Sequence, residues 1–140
     1  MERPGYAKSF RDLVVYQKAR SVAKAIFDVT KSFPREEMYS LTDQMRRSSR
    51  SIGAQIAEAW AKRRYEKHFV SKLTDSDGEQ QETQHWADTA EDCGYLEKEE
   101  TEKLNADLNE IGRMLNAMIE KSNQFCSQQG KTDHNDKGND

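Results

Sequence analysis

Residues 104–125 read LNADLNEIGRMLNAMIEKSNQF, and they decide the fold. Leu104, Leu108, Ile111, Leu115, Met118, Ser122 and Phe125 recur at steps of four, three, four, three, four and three, which is one face of a helix and no face of a strand. Such a seam, polar on every other side, needs further helices to cover it, because an amphipathic helix draws most of its stability from the face it buries.

Upstream of that seam the chain repeats the pattern three times. Glu97, Glu99 and Glu100 sit where a helix start favours negative charge, and Gly94 supplies the left-handed residue that ends the helix before it. That third helix is expected from Glu66 to Cys93, with Phe69, Leu73, Ser76, Gln80, Thr83, Ala87 and Ala90 pointing inward. Ser40 with Asp43 reads as a capping box opening a second helix, whose stripe is Leu41, Met45, Ser48, Ile52, Ile56 and Ala59. Neither Gly nor Pro falls between Trp60 and Phe69, so the need to fold back places a turn at Arg64 and Tyr65. Ser9 with Asp12 opens a first helix over residues 10–32, carried by Phe10, Leu13, Val14, Val22, Ala23, Ile26 and Phe27 and stopped by Pro34. The expected fold is all-α, an up-down antiparallel four-helix bundle over residues 10–125. A short N-terminal extension (1–9) precedes it. A tail (126–140) with no apolar residue after Cys126 follows, and it is expected to be disordered.

Composition agrees with one domain of long solvated helices: in 140 residues there are two prolines and seven glycines, with 34% charged. Cys93 and Cys126 sit in no paired spacing, which suits a reducing cytoplasm better than a disulfide. No apolar leader core lies in Met1–Ser9 and no run approaches the roughly 18 apolar residues of a membrane span, so a cytoplasmic protein without membrane attachment is expected. The net charge of −3 hides an asymmetry. Residues 1–72 hold 16 Lys and Arg against 8 Asp and Glu, and residues 73–140 hold 6 against 17. A basic and an acidic helix pair can attract each other within a bundle, or the basic part can face nucleic acid; a pI near 5.7 favours the first.

Four constellations bear on function. The basic residues Arg46, Arg47, Arg50, Lys62, Arg63, Arg64 and Lys67 form a possible nucleic-acid track, although the second set falls about four turns beyond the first. Gly53, Ala54, Ala57 and Ala61 lie on helix two away from its stripe, as either a bland solvated face or an oligomer contact. Ser76, Gln80 and Thr83 occupy seam positions of helix three, where their polar groups need each other, a partner helix or water. Glu82-x-x-His85 is half of a di-metal bundle motif, but helical stepping puts both residues on the outer side. No phosphate loop, nucleophile elbow or zinc-helix motif occurs, so the expectation is a non-enzymatic protein without metal or cofactor, and a metal-dependent bundle enzyme is the weaker alternative.

The order Phe10-Arg11-Asp12-Leu13, Tyr16-Gln17-Lys18-Ala19, Phe33-Pro34, Tyr39-Ser40-Leu41, Gln44-Met45-Arg46-Arg47, Ser51-Ile52 and Ile56-Ala57-Glu58, followed by Phe69, Leu73, Gly78, Glu82 and Gly94-Tyr95-Leu96, carries a family likeness. Over residues 10–122 it resembles the four-helix-bundle proteins encoded by intervening sequences of bacterial 23S rRNA genes. The resemblance implies a bacterial origin, a bundle protomer and a ring-like homopentamer. It extends to the accessory variability proteins of diversity-generating retroelements, which associate with nucleic acid and a reverse transcriptase. Where the family usually has Asn-Ile-Ala-Glu-Gly, this chain has Gln55-Ile56-Ala57-Glu58-Ala59, and Gly78-Glu79 stands where the family has Gly-Ser. The resemblance supplies a fold and an assembly but no reaction. The partners it leaves open are the chain itself, RNA or another protein.

Overall fold

A computed structural model of the chain describes residues 7–126, and among these there are four long helices and no strand. They are α1 (Val14–Thr30), α2 (Leu41–Ala61), α3 (Glu66–Asp92) and α4 (Lys98–Glu120), with a single closing turn, α5 (Ser122–Phe125). Consecutive helices pack side by side and α1 closes onto α4, giving a four-membered bundle. The periodicity of α3 and α4 is realised in full: Phe69, Leu73, Ser76, Gln80, Thr83, Ala87 and Ala90 are the buried residues of α3, and Leu104, Leu108, Ile111, Leu115 and Met118 are buried on α4. Each fully buried Leu, Ile or Phe contributes about 1.5–3 kcal/mol, so these rows hold the bundle together.

Helix ends depart from expectation where local geometry overrides a motif. The Ser9–Asp12 capping box forms, but it caps only a 3-10 turn, Phe10–Asp12; Leu13 is extended (φ −71°, ψ 127°) and α1 starts at Val14. The core face of α1 therefore runs through Val15, Ala19, Val22 and Ile26, while Phe10, Val14, Ala23 and Phe27 are only half-buried. The second box, Ser40 with Asp43, does not form, because Ser40 has a backbone (φ −129°, ψ −107°) that makes no side-chain cap. Glu37 replaces it, its Oε1 accepting from the Leu41 N–H at 3.2 Å while Oε2 accepts from the Tyr95 hydroxyl at 2.9 Å. That carboxylate, with burial, pushes the Tyr95 phenol up to about 12.

The turn between α2 and α3 falls at residues 62–65, as the fold-back requires. Gly94 takes φ +79° and closes α3, with the Tyr95 N–H reaching the Ala90 carbonyl and the Gly94 N–H the Glu91 carbonyl. Glu97 and Glu100 then cap α4 reciprocally. The long seam is interrupted at Lys121 (φ −107°, ψ 25°), yet Ser122 and Phe125 still point inward, and Phe125 stacks on Phe69 with centroids 5.9 Å apart. Cys126, assigned by its sequence to the tail, is buried with this turn, and Cys93 is exposed at the opposite end of α3. Residues 1–6, in the expected extension, and residues 127–140 of the expected tail lie outside the described residues.

The polar positions of α3 are satisfied within the chain. The Ser76 hydroxyl donates to the Ile52 carbonyl at 2.9 Å, and the Thr83 hydroxyl lies 2.8 Å from both Ser48 Oγ and the Glu79 carbonyl. Gln80 donates to Asp77 and accepts from Gln84. They require no partner chain.

Candidate functional site

Alanines on α1, with glycine and alanines on α2, leave the space between these helices unfilled by the described residues, and an open groove of about 310 Å³ results. One wall is Tyr16, Ala19 and Ala23; the other is Gly53, Ala54 and Ala57, with the exposed Arg20 and Arg50 also lining it. Phe10 meets Tyr16 edge-on at 4.9 Å and fixes the tyrosine wall. A Cβ at Gly53 would lie 3.5 Å from the Tyr16 ring, an ordinary contact, so packing within the protomer does not demand glycine there. Three of the four small residues picked out by sequence thus line one groove; Ala61 is exposed beyond it. The α1 wall was not legible beforehand, although Tyr16, Ala19 and Ala23 stand at helical spacing.

The basic track is divided. The Arg46 guanidinium lies 4.7 Å from the Phe27 ring centroid, its Nε donating to Thr30 Oγ1 at 2.8 Å, and Arg50 approaches the same ring at 5.8 Å. Lys31 and Lys24 complete the ring of cations at 4.7 and 5.8 Å. Both lysines bridge Asp28, and the Lys24 hydrogen bond holds that carboxyl below its usual range against the opposing effect of desolvation. Arg47 points away to Asp43 at 3.8 Å. At the far end of α2, Arg63 stacks 3.5 Å over Trp60 and donates to its carbonyl, while Lys62, Arg64 and Lys67 are exposed around the turn. Lys24 and Lys31, missed in the sequence, could have been found from their spacing of three and four around Phe27.

The outer side of α3 is acidic and stripped of bulk. Gly78 is exposed, and a Cβ there would meet nothing within 4 Å among the described residues. A mid-helix glycine costs roughly 0.5–1 kcal/mol relative to alanine, and no close packing among the described residues requires it. Burial, then Glu82 and Asp75, push the neighbouring Glu79 carboxyl up. Glu82 and His85 do not point into the bundle: Glu82 Oε2 accepts from Trp86 Nε1 at 3.0 Å and the His85 ring leans on Trp86 at 4.7 Å. Among the described residues no three His, Cys, Asp or Glu converge as a metal-ligating group.

A second groove, of about 700 Å³, runs between α3 and α4, and the polar seam position Gln80, for which water was one expected partner, lines it. Its sides carry Asp77, Gln80, Gln84 and Asn109, joined by hydrogen bonds from Gln80 to Asp77 and from Gln84 to Gln80 and Asn109. Gly112 makes this possible, since a Cβ there would stand 2.7 Å from Gln80 Nε2. Buried Gly112, inside the cleanest seam of the chain, was the available signal.

Among the described residues these features define a four-helix bundle with open grooves along its α1–α2 and α3–α4 seams. The chain belongs to the 23S rRNA-intervening sequence protein family, whose model matches residues 11–117. It is similar to a crystallised protein of unknown function from the S23 ribosomal protein family of Bacteroides thetaiotaomicron VPI-5482. The identity is 30% and the TM-score 0.69, over 76% of this chain and 96% of that one. Among curated proteins no match is found. Among the described residues no helix is long and apolar enough to cross a membrane.

Proposed function

We propose that this chain is a non-enzymatic assembly module of the cytoplasm, whose identical protomers associate into a ring, five to the ring as the family resemblance implies. The observation that carries this reading is the open α1–α2 groove, where Gly53, Ala54 and Ala57 allow another helix to approach closely. The polar seam of α3, which invites the same reading in the sequence, gives it no support, because its groups are bonded internally. Light scattering tests the proposal: the expected mass is a multiple of 16.2 kDa, and a monomer at micromolar concentration removes it. Ala57→Glu places a charge in the contact and is expected to dissociate the assembly with helicity unchanged.

One observation favours a second reading, RNA binding. Four cations gather on Phe27 at the α1–α2 surface, two of them paired with Asp28, whereas Lys62, Arg63, Arg64 and Lys67 stand apart from it. The binding expected is weak, steeply salt-dependent and indifferent to sequence, since phosphate contacts carry no base information. A fluorescence titration with ribosomal RNA fragments at about 50 and 200 mM salt covers the range in which such contacts lose much of their affinity. Absence of binding at the lower salt, or binding unaffected by replacing Arg46, Arg47 and Arg50 with Ala, removes this reading.

A further inference from the structure

The groove between α1 and α2 has a complement elsewhere on the same protomer. Resting on the assembly reading above, we infer that it receives the outer ridge of α3 from the next copy of the chain. Gly78 would seat against Gly53 and Ala57, with Asp75 and Glu82 facing Arg20 and Arg50.

Charge is the first argument. The basic and acidic parts of the chain scarcely pair within one protomer: among the described residues Lys18–Glu110, at 3.1 Å, is the one ion pair that joins residues 7–72 to residues 73–126. Arg20 and Arg50 on the groove, and Asp75, Glu79 and Glu82 on the ridge, have no ion-pair partner among the described residues. Trp86 occupies only Oε2 of Glu82 and leaves Oε1 for a guanidinium.

Shape is the second. Gly78 presents bare backbone to solvent, and the groove wall is bare of bulk at Gly53, Ala54 and Ala57. Small residues on both sides let two helix axes approach more closely than ordinary side chains allow. Asp75 and Glu82 follow the same outer face, about 4.5 and 6 Å along the axis on either side of Gly78 at 1.5 Å per residue, within the reach of arginine side chains. Because ridge and groove are different surfaces, each protomer keeps one of each after docking. Such a heterologous contact closes into a ring where the rotation between copies allows it, and otherwise runs on as a filament.

The test uses two variants of the full chain, Ala57→Glu, which blocks the groove, and Asp75→Arg with Glu82→Arg, which reverses the ridge. Each alone is expected to run at 16.2 kDa with helical circular dichroism intact. Mixed in equal amounts, they are expected to give a dimer and nothing larger, because the intact ridge of the first fits the intact groove of the second. Gly78→Gln, a bulkier residue at an open helical position, is expected to block assembly with helicity retained, because a helix favours Gln over Gly, and it decides the matter if the charge variant fails to fold. A monomeric wild type overturns the assembly reading and this inference with it. A wild-type assembly that survives both ridge variants, or a mixture that stays monomeric, overturns this inference alone.

Discussion

Two seams flank α3, both built with polar residues and finished in opposite ways. Toward α2, Ser76 and Thr83 donate across to the Ile52 carbonyl and Ser48 Oγ, all deeply buried. Toward α4, Gln80 and Gln84 run with Asp77 and Asn109 along a groove open to solvent. Side-chain length makes the difference. A hydroxyl next to Cβ reaches a helix packed closely, whereas a glutamine amide stands off and needs Gly112 to give it room. A polar residue at a seam position is therefore no evidence for a partner until its reach has been considered.

The comparison can be broken most severely through the apolar frame that both seams share. Leu108→Ala, at a fully buried position, is expected to cost about 2–5 kcal/mol in urea unfolding, more than any polar change on either side. Thr83→Val keeps the shape and removes the hydroxyl from the dry seam, for an expected loss of about 1–2 kcal/mol. Combined with Ser48→Ala it should cost less than the sum of the two single changes, because the two share one bond. Gly112→Ala sets an overpacking cost of about 1–3 kcal/mol against roughly 1 kcal/mol of helix propensity, so a net loss near 1 kcal/mol is expected by the same assay. Gln84→Ala in the open groove should stay within about 0.5 kcal/mol of wild type, since water replaces the amide. A loss as large as that of Thr83→Val would show the α3–α4 groove to be as dry as its neighbour.

A control outside both seams is the Tyr95–Glu37 contact. The folded phenol is raised above its ordinary value near 10, so its stabilisation is complete below pH 10 and disappears as pH rises through about 12. Phenolate absorbance should show this one tyrosine titrating later in the folded protein than in urea.

Most of the fold was legible because α3 and α4 repeat their apolar positions without interruption, and every inward residue read from α3 is buried. What failed were endings. Ser9 and Ser40 carry similar motifs, yet Ser9 caps only three residues before the extended Leu13, and Ser40, although it precedes α2 as expected, makes no side-chain cap, Glu37 accepting from the Leu41 N–H instead. The candidate site was half legible. Gly53, Ala54 and Ala57 stood out as small residues on a second face, but a groove has two walls, and which residues of α1 supply the other depends on packing between helices that no single periodicity encodes. Lys24 and Lys31 were legible as neighbours of Phe27 on one helix, but that Arg46 and Arg50 of α2 join them there depends on the packing of two helices.

The closing turn α5 fixes when this chain can finish folding during its synthesis. Phe69, at the start of α3, is covered by Phe125, and Glu66 is held by the Ser122 hydroxyl at 2.6 Å from a residue 56 positions later. A ribosome adding about 5–20 residues per second delivers that cover some seconds after α3 has emerged. Throughout that interval the nascent bundle offers chaperones an uncovered aromatic ring, and its last turn is the piece that withdraws it.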